Sequence, residues 1–224
     1  MIVAMTSFDF ADMVVTFLAL LGPQKVLVSF GRLARTLDAR ARRAVAILTT
    51  GTAACVGIGL AICAPWIAAL FHIGPPELEL AAGLVFFIYA VGQVFGVHFD
   101  PAERAAEEQE EEDVAAAADV RHKVTSGFRA MLLPFVVSPL AVAADLQESL
   151  SAANWAGRWE VAAAFAVVSV IDGACMLVFG SMLGRLHESV LEVASRLLGL
   201  LLAALGVVIF LNGLEALGVL HTGH

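Results

Sequence analysis

The chain has 224 residues, about the size of one domain, yet 60% of them are hydrophobic, only 15% are charged, and the mean hydropathy is +0.87. Soluble chains carry roughly 25% charged residues, and a soluble chain of this size cannot hide so much apolar surface. With a net charge of −8 and three scattered cysteines, the composition excludes a soluble enzyme, a nucleic-acid binder, a disulfide-built secreted domain and a disordered chain.

In chain order, runs almost free of charge mark six segments, at about 10–31, 44–71, 77–97, 129–149, 159–184 and 191–217. A run of about 20 apolar residues spans a bilayer. Helices satisfy their own backbone there, so all six are expected to be helical. The first segment lacks a basic start and carries Asp9 and Asp12, unlike a secretory signal, and is expected to be retained as a span. Short links, His72 to Pro76 and Gln147 to Arg158, join neighbouring spans on one side.

Basic residues orient the bundle. Arg32, Arg35, Arg40, Arg42, Arg43, Arg104, Arg121, Lys123, Arg129, Arg185 and Arg196 fall on one side of the predicted membrane and only Arg158 on the other. Lys and Arg accumulate in the cytoplasm, so both termini are expected outside, with Trp66, Trp155 and Trp159 forming an aromatic belt at the outer face. Between the third and fourth spans, residues 98–128 hold most of the net charge, including Glu107 to Asp113, and read as a solvated cytoplasmic linker. The domain reading is therefore 1–97, a first three-helix unit; 98–128, the acidic linker; and 129–224, a second three-helix unit.

A shift of 116 residues places Pro23 on Pro139, Gly57 on Gly173 and Gly83 on Gly199 without a gap, and pairs span one with four, two with five and three with six. Three spans per half is an odd number, so the second copy must run inverted relative to the first, a design common among transporters. The fold expected is all-α: a polytopic membrane protein of six transmembrane helices in two inverted repeats, with helices one and four broken at proline.

Those breaks carry the candidate site. Proline removes a donor and frees a carbonyl one turn earlier, and Gly22 or Ser138 before it lets the backbone bend. Gly22, Pro23, Gln24 and Lys25 in span one, with Ser138 and Pro139 in span four, are candidates to line a solute pocket near the midplane. A packing kink is the alternative reading of each proline taken alone. Asp172 lies near the centre of span five, where an ionisable side chain is expensive and marks function by default. Lys25 and Asp172 are close enough in depth to pair, or to exchange partners with a substrate's carboxylate and ammonium. Asp145 and Glu148 are expected to mark the outer mouth of span four. Gly199, Gly206 and Gly213 leave a smooth packing face on span six. No cofactor signature and no metal-ligand spacing is present, and no clustered His, Cys and carboxylate set suggests an enzyme.

The segment Leu133-Pro134-Phe135-Val136-Val137-Ser138-Pro139-Leu140-Ala141, with Ser195-Arg196-Leu197-Leu198-Gly199-Leu200 opening the last span and Leu211-Asn212-Gly213-Leu214 near its end, resembles the MarC family of bacterial inner-membrane proteins. That family is also called the neutral amino-acid transporter family and is linked to LysE-type exporters. The resemblance covers all but the acidic linker. It departs from the family pattern at Gly22-Pro23-Gln24-Lys25, where Asn-Pro-x-Gly is usual, at Glu79 and Leu80, where an Arg is usual, and at Ser138-Pro139-Leu140, where Gly-Pro-Gly is usual. It implies alternating-access transport of a small solute, with alanine or glycine the leading substrates, in the bacterial inner membrane. The partners implied are the lipid bilayer and the solute, with a coupling ion left open and nucleic acid excluded. A non-transporting membrane protein that binds partners through its acidic linker is the rival reading.

Overall fold

The computed structural model describes residues 10–22, 30, 33–34, 37–95, 120–131, 138–152, 154–179 and 188–219. These form seven helices and, among the described residues, no strand: α1 (Phe10–Leu21), α2 (Ala39–Phe71), α3 (Pro75–Phe95), α4 (Val120–Met131), α5 (Pro139–Ser151), α6 (Trp155–Phe179) and α7 (Glu188–Ala216). Four of them contain stretches long and apolar enough to cross a membrane: α2, α3, α6, and α7 from Gly199 to Ala216. They correspond to predicted spans two, three, five and six.

Helix boundaries differ from the charge-free runs for a physical reason. At 33 residues, α2 is about 50 Å long, well beyond a bilayer core of about 30 Å. It starts at Ala39, so Arg40, Arg42 and Arg43 are already helical; absence of charge locates the lipid, not the helix. At its other end, His72 takes the left-handed conformation (φ 55°, ψ 37°), and the Ile73 amide donates to the Ala68 carbonyl at 2.9 Å. Pro75 then opens α3, a position where its missing amide is harmless. The expected link from Gln147 to Arg158 is narrower than the sequence suggested, because α5 runs to Ser151 and α6 begins at Trp155. Helix α4 covers the C-terminal part of the predicted linker and packs on α2, with Gly127 against Val45.

The interior is built from small residues. The buried face of α2 reads Ala41, Val45, Ala46, Thr49, Ala53, Gly57, Ala61, Ala64 and Ala68, while Ile47, Leu48, Trp66, Leu70 and Phe71 point outward. Lipid is as apolar as leucine, so helices in it gain from close approach and not from hiding large side chains. The α2–α6 crossing is antiparallel: Gly57 lies under Phe165, Gly173 lies under Thr50, and the Trp66 and Trp155 rings stack with centroids 5.7 Å apart. The α3–α7 crossing is tighter and also antiparallel. Gly206 sits against Gly83 and Phe87, Gly213 against Leu80 and the Pro76 carbonyl, and Gly199 against Ala90 and Val94. The seven-residue glycine spacing of the last span thus finds its partner on α3.

Candidate functional site

Helices α1 and α5 are the elements that border the paired prolines. With 13 residues between its caps, α5 is about 20 Å long, too short to cross a bilayer core of about 30 Å alone; the described part of α1 holds 12 residues up to its end at Leu21. Each stops or starts at a paired proline. Helix α1 ends at Leu21, and the buried Gly22 donates its amide to the Leu18 carbonyl at 3.0 Å, one residue before Pro23. Helix α5 starts with Ser138 at its N-cap and Pro139 in its first turn, where the missing amide is harmless. The Ser138 hydroxyl makes no capping bond, and its carbonyl accepts from the Val142 amide at 3.0 Å. Pro23, Gln24 and Lys25 lie outside the described residues.

The two short helices pack on each other and on α6. Phe17, Leu20 and Leu21 near the end of α1 share one core with Leu140, Ala141 and Ala144 near the start of α5, and Phe17 meets the edge of Phe165 on α6 at 5.4 Å. An apolar core therefore joins the end of α1 to the start of α5, and the buried polar groups are carried by α2, α5 and α6.

On α6 is Asp172, 1% exposed, neither of whose carboxylate oxygens has a hydrogen-bond partner. Its chain neighbour Gly173 is in contact with Thr50, and the Thr49 and Thr50 hydroxyls are likewise buried without partners. Its expected counter-charge, Lys25, is not among the described residues. A second group, all on α5, is Asp145, fully buried, Glu148, 5% exposed, and Ser149, fully buried. The sequence reading placed Asp145 and Glu148 at the outer mouth of span four; here both are buried, on a helix packed against four others. Both oxygens of Asp145 and the Ser149 hydroxyl lack partners, and Asp145 and Glu148 are close enough for their charges to repel. Sequence reasoning missed Thr49, Thr50 and Ser149 altogether. The usable signal was spacing: residues 145, 148 and 149 occupy one helical face.

A buried polar group left unsatisfied costs about 1–3 kcal/mol, and a charged one more. Several such groups in a small bundle do not hold it together, and in membrane segments they mark ligand or ion paths. One cavity, of about 220 Å³, opens between α3 and α7, lined by Gly83, Leu84, Phe87, Gly206, Val207 and Phe210. No polar side chain lines it, and Leu84, Phe87 and Val207 are exposed; it is a groove on the lipid side, unsuited to an amino acid.

Long spans packed through glycine and alanine, with interior carboxylates between them, define a multi-pass helical membrane protein. Residues 8–217 match the model of the MarC family integral membrane proteins, nearly the whole chain. The chain belongs to that family. No curated protein and no solved structure matches it.

Proposed function

We propose that the protein is a transporter of small solutes, not an enzyme, that carries neutral amino acids such as alanine or glycine across the bacterial inner membrane by alternating access. The observation that supports this most is the meeting of α1, which ends just before Pro23, and α5, which starts at Pro139, inside a bundle with interior carboxylates that have no partners. Broken helices at corresponding positions of two halves are where such proteins bind substrate. In this reading Gly22, Pro23, Gln24, Lys25, Ser138 and Pro139 surround the solute. Free amides at the start of α5 attract its carboxylate, and Asp172 receives its ammonium group.

The reading rests on six spans in two inverted repeats, and contacts across the α3–α7 crossing support it. Gly83 meets Gly206 and Phe210, while Gly199 meets Ala90 and Val94. The shift that carries 83 to 199 also carries 90 to 206 and 94 to 210, so each half makes the other's contacts in reverse. Both termini outside is supported by the pairing of Trp66 with Trp155 at the end of α2 away from Arg40, Arg42 and Arg43.

The test is uptake of labelled alanine and glycine by proteoliposomes containing the full chain. Wild type is expected to transport, and Lys25→Ala and Asp172→Asn to lose most of the flux. Absence of flux for every small neutral amino acid, with protein correctly inserted, refutes the substrate assignment.

A further inference from the structure

The transport reading uses the breaks and Asp172 but leaves the second buried group on α5 without a role. Asp145, Glu148 and Ser149 fall at i, i+3 and i+4, one above the other on a single helical face. Asp145 and Ser149 are wholly buried, and Glu148 is 5% exposed. Both Asp145 oxygens and the Ser149 hydroxyl have no hydrogen-bond partner.

Among the described residues no cation faces this group. Helix α5 packs against α1, α2, α3 and α6, and the described charges on those helices do not supply one. On α1 there is Asp12, on α3 Glu77 and Glu79, and on α6 Glu160 and Asp172, all acidic. The arginines of α2 lie in its first turns, at the end opposite Trp66. Arg158 on α6 is nearest in sequence, but its guanidinium carbon sits 4.9 Å from the centre of the Trp155 ring, and its Nε makes no hydrogen bond. Two carboxylates that repel each other beside a bare hydroxyl, walled in by helices, form a set of oxygen acceptors.

We infer that Asp145, Glu148 and Ser149 form a binding site for a compact monovalent cation, either an alkali ion or the head of a primary ammonium compound. Oxygen donors of this kind suit hard cations. The three side chains match the three N–H donors of a primary ammonium head; an alkali ion would complete its shell with backbone or water oxygens, and calcium, with 6–8 oxygens, would ask for more still. The inference goes beyond the transport reading and does not require it, because binding is measured without flux.

The full chain in nanodiscs is to be tested by binding of radiolabelled sodium and by thermal unfolding in sodium, potassium, methylammonium and calcium chlorides, with choline chloride at equal ionic strength as reference. A ligand that binds only the folded state raises the melting temperature. Sodium or potassium is expected to raise it above the choline value and to compete with the radiolabel; a rise in methylammonium alone assigns the site to an organic amine. Asp145→Asn is expected to weaken binding roughly tenfold or more and Ser149→Ala about threefold or more, while Glu160→Gln, at an exposed position on α6, leaves it unchanged. If Asp145→Asn does not fold, the wild-type sodium measurement and Ser149→Ala decide the matter. Melting that ignores all the monovalent cations, stabilisation by calcium alone, or wild-type binding in Ser149→Ala overturns the inference.

Discussion

Gly83→Ala tests the packing that organises the bundle. A β-carbon at Gly83 would lie 2.6 Å from the Phe210 amide nitrogen, 2.7 Å from the Gly206 carbonyl oxygen and 2.8 Å from the Phe210 β-carbon. Two of these atoms are α7 backbone and cannot rotate aside. Restoring ordinary contact requires the helices to part by about 0.8 Å, and a gap of 0.5–1 Å forfeits a quarter to a half of each dispersion contact along the seam. Overpacking of this kind costs about 1–3 kcal/mol, offset by the ~0.5–1 kcal/mol that alanine gains over glycine in a helix. The expected net loss is about 1–2 kcal/mol. Gly59→Ala is the control, because nothing lies within 4 Å of a β-carbon there, and it should gain up to about 1 kcal/mol. Gly199→Ala should fall between them, since its nearest atoms are 3.1–3.2 Å away and one is a Val94 methyl. Denaturant or thermal unfolding of detergent-purified protein, followed by circular dichroism, gives the order. Gly83→Ala found as stable as Gly59→Ala refutes the backbone-to-backbone seam.

Gly173→Ala meets the side chain of Thr50 and should lose about 1–3 kcal/mol; adding Thr50→Ala should recover much of it, and strict additivity in this double-mutant cycle would count against the α2–α6 crossing. Replacing Asp172, a buried carboxylate without partners, by Asn should make the protein more stable while alanine uptake falls, the trade expected of a functional residue; a loss of both would make the carboxylate structural. Trp66, Trp155 and Trp159, 58%, 49% and 57% exposed, should be quenched by lipids labelled near the headgroup more than by lipids labelled at the chain ends. Deep quenching would remove them from the interface.

The sequence made the long helices legible because lipid imposes a simple rule: charge is excluded over the thickness of the bilayer. The same rule misplaced their ends. Arg40, Arg42 and Arg43 precede the charge-free run that begins at 44, yet α2 already includes them, since a helix can continue into water. Glycine spacing in the last span was read as a smooth face, and the structure supplies what lies on it, the backbone of α3. Part of the site was visible for the same reason, as Asp172 stands alone in an apolar run.

Asp145 and Glu148 escaped that logic because they stand near a predicted span end, where an acidic residue is cheap. What buries them is the company α5 keeps, a tertiary fact that no local pattern encodes. A half-length helix in a membrane leaves backbone amides at one end that lipid cannot satisfy. It is tolerated only where protein or an aqueous cavity surrounds it, and α5 accordingly packs against α1, α2, α3 and α6. Any charge on it is then enclosed as well. The break at Pro139 and the burial of Asp145 are two consequences of one requirement, which is why a helix too short to span carries, as α6 does at Asp172, a buried carboxylate without a partner.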